Sequence, residues 1–267
     1  MHDDFDSLGS CSGVSWSSDG VALTTSSARV DVQALSHSVI RVRMLPHGHG
    51  ILRLPPSFAV VEPGWPIPAV TCEEGTDCVR LSTSNITVEV QKHPLRVSFI
   101  RPDGTPVAAD GPVHGMGWTE RGAGCYKAFA PGTHFYGFGE RAGLLDKQRT
   151  AMTLWNSDVN PHTPGTDSLY VSIPFFIAFS GQSAYGIYMD TAARSAFNMG
   201  RPKLMPWTSE IKLAPLPYPE VDPGEYWFGT EGKCLDYYFF AGPTIPDVVR
   251  SYSDLTGRMQ LPPLWAL

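Results

Sequence analysis

The sequence predicts an all-β protein, a large antiparallel β-sandwich followed by a single helix. Three observations carry this. Segment after segment alternates apolar and polar residues with a period of two, the mark of a strand with one buried face. The 26 glycines and 24 prolines punctuate the chain every few residues, which suits short strands and tight turns better than helices. Hydrophobic residues make up 42% and aromatics 11% against only 17% charged, enough for a sizeable core and too apolar for a disordered chain.

In the first half, residues 21–24, 28–34 and 39–44 each show period-two polarity and read as half-buried strands. A Pro- and Gly-rich stretch over residues 54–70 reads as an irregular connection. The alternation resumes at 79–82, 86–90 and 95–100, with a turn at Lys92-His93-Pro94 and another at Asp103-Gly104 before 106–108. This is an antiparallel meander with strands enough for two packed sheets. The second half keeps the β character at 170–179, 184–189 and 225–229, and the nearly all-apolar run 235–240 reads as a buried strand. Thr244 is then a good N-cap, with Asp247 three residues on as its capping-box partner. Val248, Tyr252 and Leu255 share one helical face, and Gly257 stands where a C-cap glycine belongs. After Pro262-Pro263, the run Leu264-Trp265-Ala266-Leu267 reads as the first buried strand of a further domain, because such a strand left alone exposes an unpaired edge. The expected organisation is a sandwich over 1–241, with 242–267 as a linking helix and the start of a second domain, the chain being the front part of a longer protein.

Composition excludes several function classes. The net charge is −6 with lysines and arginines scattered, which leaves no electrostatic footprint for nucleic acid or an anionic membrane surface. The start, Met1-His2-Asp3-Asp4-Phe5-Asp6, is acidic and lacks the pattern of a secretory signal, and no apolar run approaches a membrane span. Five cysteines, an odd number without a CxxC pair, are expected as free thiols of a cytoplasmic protein, with a Cys72–Cys78 disulfide as the alternative. Asn85-Ile86-Thr87 reads as a chance sequon. His47 and His49 have no third ligand at a useful spacing, so they read as a surface loop, and no metal or cofactor is implied. The Ser15-Trp16-Ser17-Ser18 run lacks nucleophile-elbow glycines. Asp190, Glu220 and Asp222 offer carboxylates without an identifiable partner. No catalytic constellation stands in the chain.

Two segments carry polar chemistry. Phe135-Tyr136-Gly137-Phe138-Gly139-Glu140-Arg141 is too far from a strand-to-helix turn to cradle phosphate, and its glycines read as sites of close backbone approach in a sheet. Glu140 with Arg141 reads as a partly buried ion pair holding a turn. Downstream, residues 153–167 form a long polar loop with a tryptophan at its base. Sugar recognition needs an aromatic face for the C–H side of the ring and planar groups for paired hydroxyls. Trp155, Asn156 and Asp158 offer that set, and an ordinary Asx-rich turn is the competing reading.

In order along the chain stand Tyr136-Gly137-Phe138-Gly139-Glu140-Arg141, Leu154-Trp155-Asn156-Ser157-Asp158, Tyr170-Val171-Ser172-Ile173-Pro174-Phe175 and Tyr185-Gly186-Ile187-Tyr188-Met189-Asp190. Asp236-Tyr237-Tyr238-Phe239-Phe240-Ala241-Gly242-Pro243 and Leu261-Pro262-Pro263-Leu264-Trp265-Ala266-Leu267 follow. This series resembles the N-terminal part of family 31 glycoside hydrolases, the α-glucosidases and α-xylosidases. The resemblance implies a galactose-mutarotase-like sandwich leading into a (β/α)8 catalytic barrel. Both catalytic aspartates of the family lie in that barrel, beyond residue 267, so the chain alone is expected to be inactive. A sandwich loop of the family helps to form the substrate pocket; the matching residues are Trp155, Asn156 and Asp158, with Asp158 expected on sugar hydroxyls and Asn156 as a second contact. Glu140 and Arg141 are expected to hold structure beneath the loop. The implied partners are an α-linked oligosaccharide or glycoside and the protein's own barrel, with self-association of the fragment through its barrel-facing surface. The alternatives are a free-standing carbohydrate-binding or interaction module, and a mutarotase-like isomerase using His114, His134 or His162.

Overall fold

A computed structural model describes residues 5–48, 57–61, 64–181, 183–201 and 219–266. The first strands are β1 (Asp6–Ser7), β2 (Cys11–Trp16), β3 (Gly20–Thr25), β4 (Ala28–Ala34), β5 (Val39–Pro46), β6 (Thr71–Glu74) and β7 (Cys78–Ser82). Next come β8 (Thr87–Lys92), β9 (Leu95–Ile100), β10 (Pro106–Asp110), β11 (Met116–Thr119), β12 (Gly122–Ala128) and β13 (Thr133–Gly139). The last are β14 (Ala151–Leu154), β15 (Ser172–Ser180), β16 (Ser183–Met189), β17 (Ser195–Asn198), β18 (Glu225–Thr230) and β19 (Leu235–Phe240), then helix α1 (Ile245–Thr256).

The strands form two sheets. One runs β14-β17-β18-β12-β10-β9-β8-β7-β6, with β11 and β1 branching from β12; the other runs β13-β15-β16-β19-β5-β4-β3-β2. They face one another, and the expected sandwich is present. The period-two pattern is what sorts the faces. On β19, Leu235, Tyr237 and Phe239 enter the core between the sheets, while Tyr238 and Phe240 point outward against Val248 and Leu255 of α1. A strand buried on both faces has no need to alternate, which is why 235–240 is nearly all apolar. Phe99 of β9 stacks on Phe239 with centroids 3.8 Å apart, joining the two layers. Each such buried ring contributes about 1.5–3 kcal/mol.

Helix α1 begins as the sequence implies. The Thr244 hydroxyl accepts from Asp247 N, the Asp247 carboxylate accepts from Thr244 N, and Gly257 closes the helix with φ +85°. Residues 264–266 differ from expectation: they form a short 3-10 turn with Leu264 and Trp265 90% and 88% exposed. A strand needs a neighbour to complete its ladder, and none of the described strands pairs with this segment. The connection expected over 54–70 carries no strand or helix at 57–61 and 64–70; its other residues, with His49 and Leu267, lie outside the described ones. All five cysteines are free, and the β6–β7 register sets Cys72 opposite Leu81 instead of Cys78.

Among the described residues the core holds one fully buried charge pair. Lys127 and Asp110 face each other across β12 and β10, and their side chains are 0% exposed with Nζ 2.8 Å from Oδ1. Burial alone would discharge the amine, but the adjacent carboxylate holds Lys127 protonated to well above its ordinary range. The other carboxylate oxygen accepts Val97 N at 2.9 Å. The ammonium also lies 5.3 Å from the ring centroids of Phe99 and Tyr237.

A second buried carboxylate is less well served. Glu225 sits against Gly111, where a Cβ would fall 2.3 Å from its Oε1, and that oxygen has no hydrogen-bond partner. Burial, and then the charge of Asp222, raise its carboxyl above the usual range.

Asp110→Ala, which strands the Lys127 ammonium in the core, is expected to lower unfolding free energy in urea by about 3–5 kcal/mol. For Glu225 the folded state binds its proton more tightly than the unfolded chain does. Stability from this group is therefore gained as pH falls from neutral through the raised folded-state value, and lost as pH climbs back. Glu225→Gln should raise the thermal midpoint at neutral pH and flatten that part of the stability–pH curve.

Candidate functional site

The site grows out of a bulge. Strand β13 pairs with β15 in register from Thr133↔Ser180 to Gly137↔Phe176, then shifts before Gly139↔Ser172. Gly137 and Gly139 adopt φ +123° and +81°, and a Cβ on either would strike a β15-side carbonyl, Phe175 O at 2.6 Å or Val171 O at 2.5 Å. Phe138 between them takes φ +72°, held there by burial of its ring against Phe176 and Phe197. The bulge turns the chain so that Arg141 projects beneath the loop joining β14 to β15.

Arg141 clamps both ends of that loop. Its Nη1 donates to Thr153 O at 2.8 Å and to Asp167 O, and its Nε donates to Phe138 O at 3.2 Å. The Asp167 carboxylate accepts Thr153 N through both oxygens, at 2.8 and 3.0 Å, and lies 3.9 Å from the guanidinium. The expected Glu140–Arg141 ion pair is thus corrected: among the described residues Arg141 pairs with Asp167 and loop carbonyls, which take up its guanidinium donors. Its role beneath the loop is as expected. Further bonds close the loop, Ser157 N to Leu169 O at 2.9 Å and Tyr170 Oη to Val159 O at 3.1 Å, with Leu169 buried as the plug.

The three residues singled out for sugar contact are all on this loop and exposed, but they do not share one spot. Trp155, 53% exposed, and Asn156 line an open cavity of ≈ 370 Å³ together with Leu154, Ser172, Thr191 and Ser195. Asp158 is absent from that lining and lies instead beside Tyr170, whose phenol is raised by burial first and then by the Asp158 charge. Tyr170, 45% exposed, is a second aromatic at the loop that sequence reasoning passed over as part of a strand. Its signal was the position immediately before β15, where an exposed tyrosine has no core to serve.

The other candidates are accounted for locally. His134 Nδ1 lies 2.7 Å from Asp146 Oδ2, and Asp146 also receives Phe135 N and Gln148 N, so this pair ties the β13–β14 connection back onto β13. His114 packs edge-on against Phe5 and beside Tyr126, and His162 is exposed on the loop. Asp190 accepts Ser57 Oγ at 2.8 Å. Among the described residues no three metal-ligating side chains converge.

A model of the glycosyl hydrolase 31 N-terminal galactose mutarotase-like domain matches residues 29–198. Over 240 residues the chain is 38% identical to Alpha-glucosidase 2 of Bacillus thermoamyloliquefaciens, a match covering 89% of this chain and 27% of that protein. It is 34% identical over 131 residues to Alpha-xylosidase XylQ of Lactiplantibacillus pentosus, 49% of this chain and 14% of that one. Among solved structures, a GH31 dextranase of Flavobacterium johnsoniae complexed with isomaltotriose superimposes with a TM-score of 0.83 at 25% identity, over 98% of this chain and 30% of that chain. The chain thus spans under a third of the length of each of these relatives.

Arg141→Gln removes the charged donor that spans both loop ends. It is expected to cost about 2–3 kcal/mol in urea unfolding and to speed hydrogen exchange at Thr153 N and Ser157 N more than at β4 and β5 amides.

Proposed function

Because the chain belongs to the glycosyl hydrolase 31 N-terminal galactose mutarotase-like domain family, we propose that it is the N-terminal scaffold of an α-glucosidase-type retaining glycoside hydrolase. In this reading residues 1–241 are the scaffold, and 242–267 link it to a (β/α)8 barrel that supplies both catalytic carboxylates. The 267 residues alone are then inactive, since a retaining mechanism needs two carboxyl groups about 5–5.5 Å apart on either side of the scissile bond. The observation that carries the reading is the clamped loop. Arg141 and Asp167 fix its two ends, so that an exposed tryptophan and two planar polar side chains are presented on an ordered support.

The roles follow from chemistry. The Trp155 indole offers an apolar face to the C–H side of a pyranose ring, and the Asn156 amide beside it can both donate to and accept from hydroxyls. The Asp158 side chain accepts hydrogen bonds from two sugar hydroxyls. The ligand is an α-linked oligosaccharide or glycoside. Met259, Leu261, Leu264 and Trp265, each 88% exposed or more, form the surface that the barrel covers, and the surface through which the chain alone self-associates. The protein is read as cytoplasmic, a reading that five free thiols support.

The test is a chimera in which this chain replaces the matching N-terminal part of the Bacillus thermoamyloliquefaciens enzyme. The chimera is expected to cleave p-nitrophenyl α-glucoside or α-xyloside while the chain alone does not. Asp158→Ala in the chimera should lower kcat/KM about 10- to 100-fold, the worth of one charged hydrogen bond. Turnover by the chain alone would defeat the proposal.

A further inference from the structure

A second cavity lies on the other side of the same loop, and its chemistry is unlike that of the first. It has a volume of ≈ 250 Å³ and is lined by Arg141, Lys147, Arg149, Thr150, Thr166 and Asp167, among others. Two of its cations are deeply buried: the Arg141 side chain is 4% exposed and Lys147 is 7% exposed. Their donors are turned to backbone carbonyls, Arg141 to Thr153 O and Asp167 O, Lys147 to Ala142 O and Leu144 O. Carbonyl dipoles solvate a cation without cancelling its charge. The one carboxylate in the lining, Asp167, is held by Thr153 N and the Arg141 guanidinium. Arg141, Lys147, Arg149 and Arg201 against Asp167 leave the walls net positive.

The cations repel one another. Lys147 is held below its ordinary value by burial first and then by the Arg141 charge. Arg149 adds a third positive charge under strain. Its φ is +61°, in the left-handed region that costs a non-glycine residue about 1–2 kcal/mol. Its amide is pinned to Met199 O at 2.9 Å, and its exposed guanidinium makes no hydrogen bond or ion pair among the described residues. A long flexible cation at a strained backbone position, on the rim of a positively charged cavity and without a partner, is arranged for a ligand and contributes nothing to the fold.

We propose that this cavity is a binding site for a compact oxyanion, a phosphate or a carboxylate group, with Arg149 as the side chain that closes on it. The hydroxyls of Thr150 and Thr166 stand in the same lining as neutral donors. Arginine's planar fork suits a two-oxygen ligand, and the low-dielectric wall behind it strengthens the pairing. The inference is independent of the glycosidase reading, since it rests on a different wall and a different charge.

The experiment is titration of the chain by calorimetry with sodium phosphate and with sodium acetate, against sodium chloride at matched ionic strength. Saturable heat from phosphate or acetate but not from chloride is expected, and the stronger of the two identifies the oxyanion class. Arg149→Gly is the informative variant, because glycine removes the charge and relaxes the strained backbone, so the protein remains folded. Its affinity should fall about tenfold or more, with Arg149→Lys keeping part of it. Equal responses to phosphate, acetate and chloride would overturn the proposal, and so would an Arg149→Gly chain that binds as tightly as the parent.

Discussion

The buried pair of Lys127 and Asp110 is the constraint around which the sandwich is organised. An unpaired ion in that interior would cost several kcal/mol, so β10 and β12 are held to the one register that sets the two residues opposite each other. Val97 N donates to the same carboxylate, which ties in β9. The ammonium faces Phe99 from one sheet and Tyr237 from the other, so the spacing of the layers is set at the same point. From β12 the ladder runs through β18 and β17 to β14, the strand from which the polar loop departs. The position of Trp155 is therefore inherited, strand by strand, from a salt bridge in the core.

Arg141 does for the loop what Lys127 does for the sheets, with backbone carbonyls as partners beside the Asp167 carboxylate. One guanidinium reaches Thr153 O at the loop's start and Asp167 O near its end, residues far apart in sequence. The loop so fixed separates two cavities of opposite character. On one side Trp155, Asn156 and neutral hydroxyls make an uncharged polar surface, suited to a ligand rich in hydroxyl groups. On the other, four cations and one carboxylate make a positive one. A neutral sugar gains little from net charge and much from a flat aromatic face, whereas an anion gains from charge directly, so the two walls select different chemistry.

Much of the fold was legible because period-two burial is a local property. The strand 28–34 is read with the bounds that the structure shows, and the helix start follows from a capping pair three residues apart. Strands β1, β2, β6, β11, β12, β14 and β17 escaped the reading. β12, Gly-Ala-Gly-Cys-Tyr-Lys-Ala, lacks alternation and carries a lysine that sequence rules send to the surface, while its ion pair takes it to the centre. The adjacency of Glu140 and Arg141 suggested a pair, but the Arg141 guanidinium is taken up by Asp167 and loop carbonyls. Residues 264–266 have strand-like composition, but a strand exists only with a neighbour.

What the sequence determined by itself is the class of fold, the family, and the loop that bears Trp155, Asn156 and Asp158, because each rests on short-range pattern. Only the tertiary structure decided which partners the charges take. It paired Arg141 with Asp167 and Lys127 with Asp110, and it put Asn156 and Asp158 in different surroundings. The physical reason is range. Periodicity acts between neighbours along the chain, whereas charges and hydrogen bonds act between neighbours in space, and those are settled only once both sheets are packed.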